Sequence, residues 1–180
     1  MPSRALLYRA RRIWPCAHPG SPDAAAASDR GGRMSADGHL EALRESALHY
    51  ARQGWPVLPL HSIRAGRCSC GRDCGRAAGK HPRTQHGSND ASVDEAVIRA
   101  WWARWPDANI GVATGSTSGL LVLDVDPAHG GDESFEALVA RHGSLSPTPT
   151  SLTGGRGRHL LFAHPEFSVP SRCGALGPGA

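Results

Sequence analysis

The sequence has almost no lysine. Lys80 is the only one among 20 basic residues, and the others are all arginine. With abundant alanine and glycine, that bias fits a GC-rich coding sequence, so the arginine excess alone says little about phosphate binding. The net charge of +4 permits a polyanionic partner without establishing one. No long apolar run is present. None approaches the roughly 20 residues that a membrane-spanning helix needs, so helical membrane insertion is excluded as a role. No secretory signal is legible either: Leu6 and Leu7 follow an arginine, but no sustained apolar core precedes Pro15. The expected setting is cytoplasmic and reducing, where the five cysteines serve as thiols or metal ligands rather than as a disulfide framework. Acid is scarce late in the chain: no Asp follows Asp132, and beyond Glu136 the only acid is Glu166.

The 180 residues, 39% hydrophobic and 20% charged, suit one domain with a real core, although 22 Gly and 14 Pro imply much loop. Residues 1–33 differ from the rest. They hold six Arg against two Asp, a Pro-rich stretch and an alanine run without period, and are expected to be a disordered basic extension. Translation starting at or near Met34 would explain them; a basic arm touching nucleic acid is the competing reading.

Apolar periodicity predicts a helix over 37–53, with Leu40, Leu43, Ala47 and Tyr50 on one face, Asp37 as its cap and Gly54 as its end. Residues 55–60 read as an extended edge segment because of Pro56 and Pro59. Ser92 with Glu95 fits a capping box for a second helix, whose Val97, Ile98, Trp101, Trp102 and Trp105 form a dense apolar face. The tryptophans are expected in the core rather than as a base-stacking platform. A strand from Asn109, the turn at 116–119 and a strand from Leu120 read together as a hairpin. Residues 132–142 predict a third helix, and 160–162 a further buried strand.

Two patterns carry chemistry. In the loop over 64–83, Cys68, Cys70, Cys74 and His81 present thiolates and an imidazole at a spacing that suits tetrahedral Zn²⁺, with His61 and His86 as alternatives to His81. A set of free thiols is the plainer reading. Arg64, Arg67, Arg72, Arg76, Lys80 and Arg83 make the same loop basic, as either a phosphate-facing knob or a solvated surface. Further on, Leu120 to Leu123 is a short apolar strand that delivers Asp124 and Asp126. Residues i and i+2 of a strand share a face, and two carboxylates there favour a hard cation such as Mg²⁺ or Mn²⁺ between them. The alternative is a strand running into a polar turn. His159 begins the later strand after a Gly- and Arg-rich loop containing Arg156 and Arg158, a combination suited to phosphate.

Several stretches in one order carry a resemblance: Gly54-Trp55-Pro-Val-Leu-Pro, Gly79-Lys80-His81-Pro82, Trp101-Trp102 through Asn109-Ile-Gly, Thr114-Gly115, Ser118-Gly119 through Asp124-Val-Asp126-Pro127, and Thr153-Gly-Gly-Arg-Gly-Arg-His159. From about Leu40 onwards the chain resembles the N-terminal domain of bifunctional DNA primase/polymerases, the prim-pol branch of the archaeo-eukaryotic primases. The resemblance implies an α+β fold with an RRM-like mixed β-sheet core, joined to a small N-terminal α/β unit and a Cys-rich zinc loop, over 34–180. It implies metal-dependent nucleotidyl transfer, with Asp124 and Asp126 holding Mg²⁺ or Mn²⁺ and His159 binding the phosphates of the incoming nucleotide. Arg158 and Lys80 are further phosphate-binding candidates. The implied partners are a single-stranded DNA template, dNTP or NTP, and a replicative helicase domain or protein. The family pattern also includes a third carboxylate on a later strand, soon after a Leu-Gly-Pro-Gly-like stretch. This chain has Leu176-Gly-Pro-Gly179 followed only by Ala180, so the expectation is a domain incomplete at its C-terminal end. The expectation is a DNA primase/polymerase domain, active or inactivated by the absence of the third carboxylate; the alternative is a non-catalytic, zinc-containing DNA-binding module or a degenerate remnant of the enzyme.

Overall fold

Apolar residues at helical spacing bury one face of the first element. The computed structural model describes residues 35–179; the basic extension and the start at Met34 lie outside them. Helix α1 (Ala36–Arg52) turns Ala47, Leu48 and Ala51 inward. Gly54 ends it in the left-handed region (φ 81°), which a side chain would strain, and its N–H returns to the Ala51 carbonyl. Asp37, expected as the cap, lies inside the first turn instead.

Strand β1 (Val57–Leu60) follows and is almost wholly buried. A hairpin of β2 (Ile63–Arg64) and β3 (Arg67–Cys68) leads into the cysteine loop. Helix α2 (Glu95–Arg104) brings Ile98 and Trp102 onto α1. Its cap is Asp94, whose carboxylate accepts the Ala96 and Val97 N–H groups. The expected Ser92 cap is corrected: Ser92 pairs by backbone with Val57, and its hydroxyl accepts the Asp94 N–H.

Strand β4 (Asn109–Val112) pairs antiparallel with β1, from Val57 opposite Val112 to Leu60 opposite Asn109. This overturns the expected hairpin between 109–115 and 119–126. Only a single bridge, Gly115 with Leu120, closes the turn at 116–119. The reason is burial: β1 is more deeply buried than β5, and its Val57 belongs to the core made with Ala47, Leu48, Ala51, Ile98, Trp102 and Ala108. Burying one side chain such as Leu48 contributes about 2 kcal/mol.

Strand β5 (Leu120–Val125) instead pairs with β7 (Arg158–Ala163), and β7 with β6 (Thr150–Leu152), all antiparallel in the order β5-β7-β6. Helix α3 (Gly131–His142) contacts β5. The fold is therefore α+β, but where one RRM-like mixed sheet was expected, the described strands form three separate antiparallel sheets. The expected burial of 120–123 and 160–162 is also only partial. Leu120 and Leu160 are buried, whereas Leu121, Val122, Leu123, Leu161 and Phe162 are half-buried.

The cysteine loop is tied to the end of α2 by Asp107. Its carboxylate accepts the Ser62 hydroxyl (2.5 Å) and Arg64 Nε (2.6 Å), and lies 3.5 Å from Arg83, whose side chain is 8% exposed. Hydrogen bonding from Arg64, with help from Ser62 and Arg83, holds the Asp107 carboxyl far below its ordinary range. A depressed folded-state pKa means its stabilisation is complete above the ordinary carboxylate pKa and fades as pH falls through the folded value. Asp107→Ala is expected to cost about 3 kcal/mol at neutral pH, because buried Arg83 loses its counter-ion. Urea unfolding across a pH series would check this, and the wild-type advantage should shrink in strong acid.

Candidate functional site

Strand register brings two of the expected residues together. Asp124 on β5 lies directly opposite His159 on β7, with His159 Nε2 3.4 Å from Asp124 Oδ1. Both are open to solvent, at 65% and 44% exposure of their side chains. Ser151 of β6 is the next partner across the same row.

One residue along, the side chains alternate to the other face. There Arg158, opposite Val125, donates from Nη2 to Asp132 Oδ1 (2.7 Å), and its guanidinium lies 5.2 Å from the Phe135 ring on α3. The structure thus separates Arg158 from the face that carries His159. Lys80 is exposed in the cysteine loop, where its N–H is bonded to the Ala77 carbonyl, and it forms no ion pair among the described residues. Gly157 lets the Gly/Arg loop pass close to the end of β5, since a Cβ there would meet the Val125 carbonyl oxygen at 2.6 Å.

Asp126 lies just beyond β5. Its backbone is still extended (φ −106°, ψ 104°), and its carboxylate caps the short turn over Pro127–His129 by accepting the Ala128 N–H at 3.0 Å. Its other oxygen is 2.7 Å from His129 Nδ1. That hydrogen bond, together with the Ala128 N–H, holds the Asp126 carboxyl below its ordinary value, so it remains an anion. Both Asp124 and Asp126 are exposed, and each Asp126 oxygen retains a second lone pair. The pair fits a hard cation of the Mg²⁺ or Mn²⁺ type in donor chemistry. Among the described residues, no group of three or more mutually close His, Cys or carboxylate ligand atoms includes Asp124 or Asp126.

A second centre is more complete. The ligand atoms of Cys68, Cys70, Cys74 and His81 all lie within 4.8 Å of one another. Cys68 Sγ is 3.3 Å and Cys74 Sγ 3.5 Å from His81 Nε2, and Cys70 and Cys74 are 3.2 Å apart. A tetrahedral thiolate site with Zn–S near 2.3 Å places its donors roughly 3.3–3.8 Å apart, so this cluster can hold a metal ion. The β2–β3 hairpin delivers Cys68 to a buried position. The N–H groups of Cys70 and Gly79 lower the Cys68 thiol to about 6, while its hydrogen bond to Cys70 and burial push Cys74 up to about 12. A divalent cation would bind all three as thiolates.

His61, one alternative to His81, instead lies against it, with ring centroids 4.4 Å apart and Nδ1 2.9 Å from Ser69 Oγ. Burial lowers its pKa. His86, the other alternative, pairs with Asp90.

Sequence reasoning placed Arg76 in the basic loop but missed its contact with His129, at 3.0 Å. The signal available was a His three residues after Asp126 in a turn begun by Pro127, a spacing that returns an imidazole to a carboxylate.

No curated protein and no solved structure matches the chain. The family model for the N-terminal domain of bifunctional DNA primase/polymerases matches residues 47–179. That stretch spans the end of α1 with β1 and α2, the cysteine–histidine cluster and the Asp124–His159 row, and the chain belongs to this family.

Proposed function

We propose that this chain carries out metal-dependent nucleotidyl transfer on a single-stranded DNA template, using dNTP or NTP, in a cytoplasmic replication system that includes a helicase. The observation that carries this reading is the Asp124–His159 pair on adjacent strands. Asp124 and Asp126 would hold Mg²⁺ or Mn²⁺, which supplies charge neutralisation for the triphosphate and the attacking hydroxyl. His159 offers its imidazole on the same open face as Asp124, so a phosphate oxygen there meets an N–H donor beside the cation's ligand. The β5-β7-β6 sheet, backed by α3, corresponds in this reading to part of an RRM-like core. The Cys68/Cys70/Cys74/His81 cluster would hold a structural Zn²⁺.

A non-catalytic, zinc-containing DNA-binding module is the second reading. It is favoured by one observation: among the described residues, no group of three or more mutually close His, Cys or carboxylate ligand atoms includes Asp124 or Asp126. Incorporation of labelled nucleotides on single-stranded DNA by the full chain, with Mn²⁺ or Mg²⁺, separates the two. Asp124→Asn is expected to lower incorporation at least about a hundredfold, the scale on which losing one charge-stabilising group acts. Equal rates for wild type and variant would refute the site. No incorporation by folded wild type would leave the binding module.

A further inference from the structure

We propose that His129 is a positioning residue for Asp126 and that Arg76 links it to the cysteine cluster, so the metal loop sets the orientation of a carboxylate in the proposed active site. This rests on reading Asp124 and Asp126 as cation ligands.

The argument begins with donor chemistry. A guanidinium can only donate hydrogen bonds. Arg76 Nη1 lies 3.0 Å from His129 Nε2, so Nε2 must be the acceptor and must carry no proton. The ring proton therefore sits on Nδ1, which is 2.7 Å from Asp126 Oδ2. The chain of bonds has one direction: from Arg76 into the imidazole, and from the imidazole into the carboxylate. The second oxygen of Asp126 takes the Ala128 N–H, so both carboxylate oxygens are held and the group cannot rotate freely. Each still has a lone pair for a cation.

Local structure explains why the contact forms. Pro127 starts the turn over 127–129 with its fixed φ, and the turn returns His129 over Asp126. Arg76 belongs to the turn over Gly75–Ala77, immediately after Cys74. Cys68, Cys70, Cys74 and His81 would hold a metal ion, and ligation there would fix the backbone that carries Arg76 and with it the reach of its guanidinium to His129. The link crosses 53 residues of sequence. His129 and Asp126 are both exposed, so the bond adds little to stability. Its effect is on orientation, as with other hydrogen-bond partners of ligating carboxylates.

Two measurements on the full chain test this. The first is the imidazole ¹⁵N spectrum of His129 in alkaline buffer, without added divalent cation. The Nδ1–H form is expected in the wild type, and loss of its dominance in Arg76→Ala. The second is Mn²⁺ affinity by calorimetry. His129→Ala is expected to weaken it about tenfold. His129→Asn, whose amide N–H can take the place of Nδ1–H, should recover most of the loss, and Arg76→Ala should shift affinity the same way by less. Zinc content and circular dichroism should match the wild type throughout. An Nε2–H form in the wild type, or unchanged Mn²⁺ affinity in His129→Ala, overturns the proposal. Asp124→Asn separates the two readings. If it lowers Mn²⁺ affinity and His129→Ala does not, the positioning role alone falls. If Asp124→Asn changes nothing, the cation site falls and the positioning role falls with it.

Discussion

Cys68→Ser is expected to abolish metal binding by the cysteine–histidine cluster and lower the thermal midpoint by about 10 °C. Cys68 is buried at the end of β3, touches His81, and accepts the Gly79 N–H, so it joins the hairpin to the far side of the loop. Structural zinc sites bind with apparent free energies of about 10–16 kcal/mol in small peptides, and that binding energy orders the loop that carries the ligands. Losing one of four ligands forfeits most of it. Even if only about 3 kcal/mol reaches the global stability, a chain of this size loses roughly 10 °C. Elemental analysis and thermal unfolding would check both parts. A chelator added to the wild type should give the same shift. Cys173→Ser is the control: Cys173 is exposed and far in sequence from the cluster, and its replacement should change neither quantity. Metal-free wild type purified with zinc present, or an unchanged midpoint in Cys68→Ser, would sink the metal centre.

Trp102→Ala should cost about 4 kcal/mol in urea unfolding, on the scale of other large aromatic-to-Ala changes in cores. The side chain is 2% exposed and packs with Ala47, Leu48 and Ile98. Among the described residues its indole N–H has no hydrogen-bond partner. Trp102→Phe removes that unpaired donor along with some volume, so the gain offsets part of the cavity and a cost of only about 1–2 kcal/mol is expected. Trp105 differs, since it is half-buried between the guanidiniums of Arg83 and Arg104, at 5.8 and 4.8 Å. A loss below about 1 kcal/mol for Trp102→Ala would mean that the tryptophan face is not a core.

Local signals in the sequence reach the helices and the chemistry-bearing residues more readily than they reach pairing. The three helices were legible because apolar residues recur at helical spacing and Gly54 and Gly143 end two of them. The four-ligand cluster was legible because thiols and an imidazole so close in sequence can converge without help from the rest of the fold. The partner of β4 was not legible. Its four residues suit either β1 or β5 by propensity, and the burial of Val57 against α1 and α2 decides the matter. Strand β6 was missed because Thr150–Leu152 is exposed and lacks alternation, and it is held by backbone pairing to β7. The nearness of Asp124 to His159 follows from strand register, which no periodicity reveals. The bonds from Arg76 to His129, and from Arg158 to Asp132, join residues distant in sequence for the same reason.

The buried apolar residues are divided unequally between the two larger sheets. Around β1 they are sealed by α1 and α2, while the β5-β7-β6 sheet has only Leu120, Val125 and Leu160 fully inside. Stability in such a chain is not uniform, and the shallower sheet is expected to open at a lower free energy than global unfolding. The Asp124–His159 row stands on that sheet. Amide protons of β5 and β7 would then exchange through partial openings that leave α1 and α2 intact. A ligand seated on the row would bind only the closed form, so its affinity would include the work of holding the sheet shut.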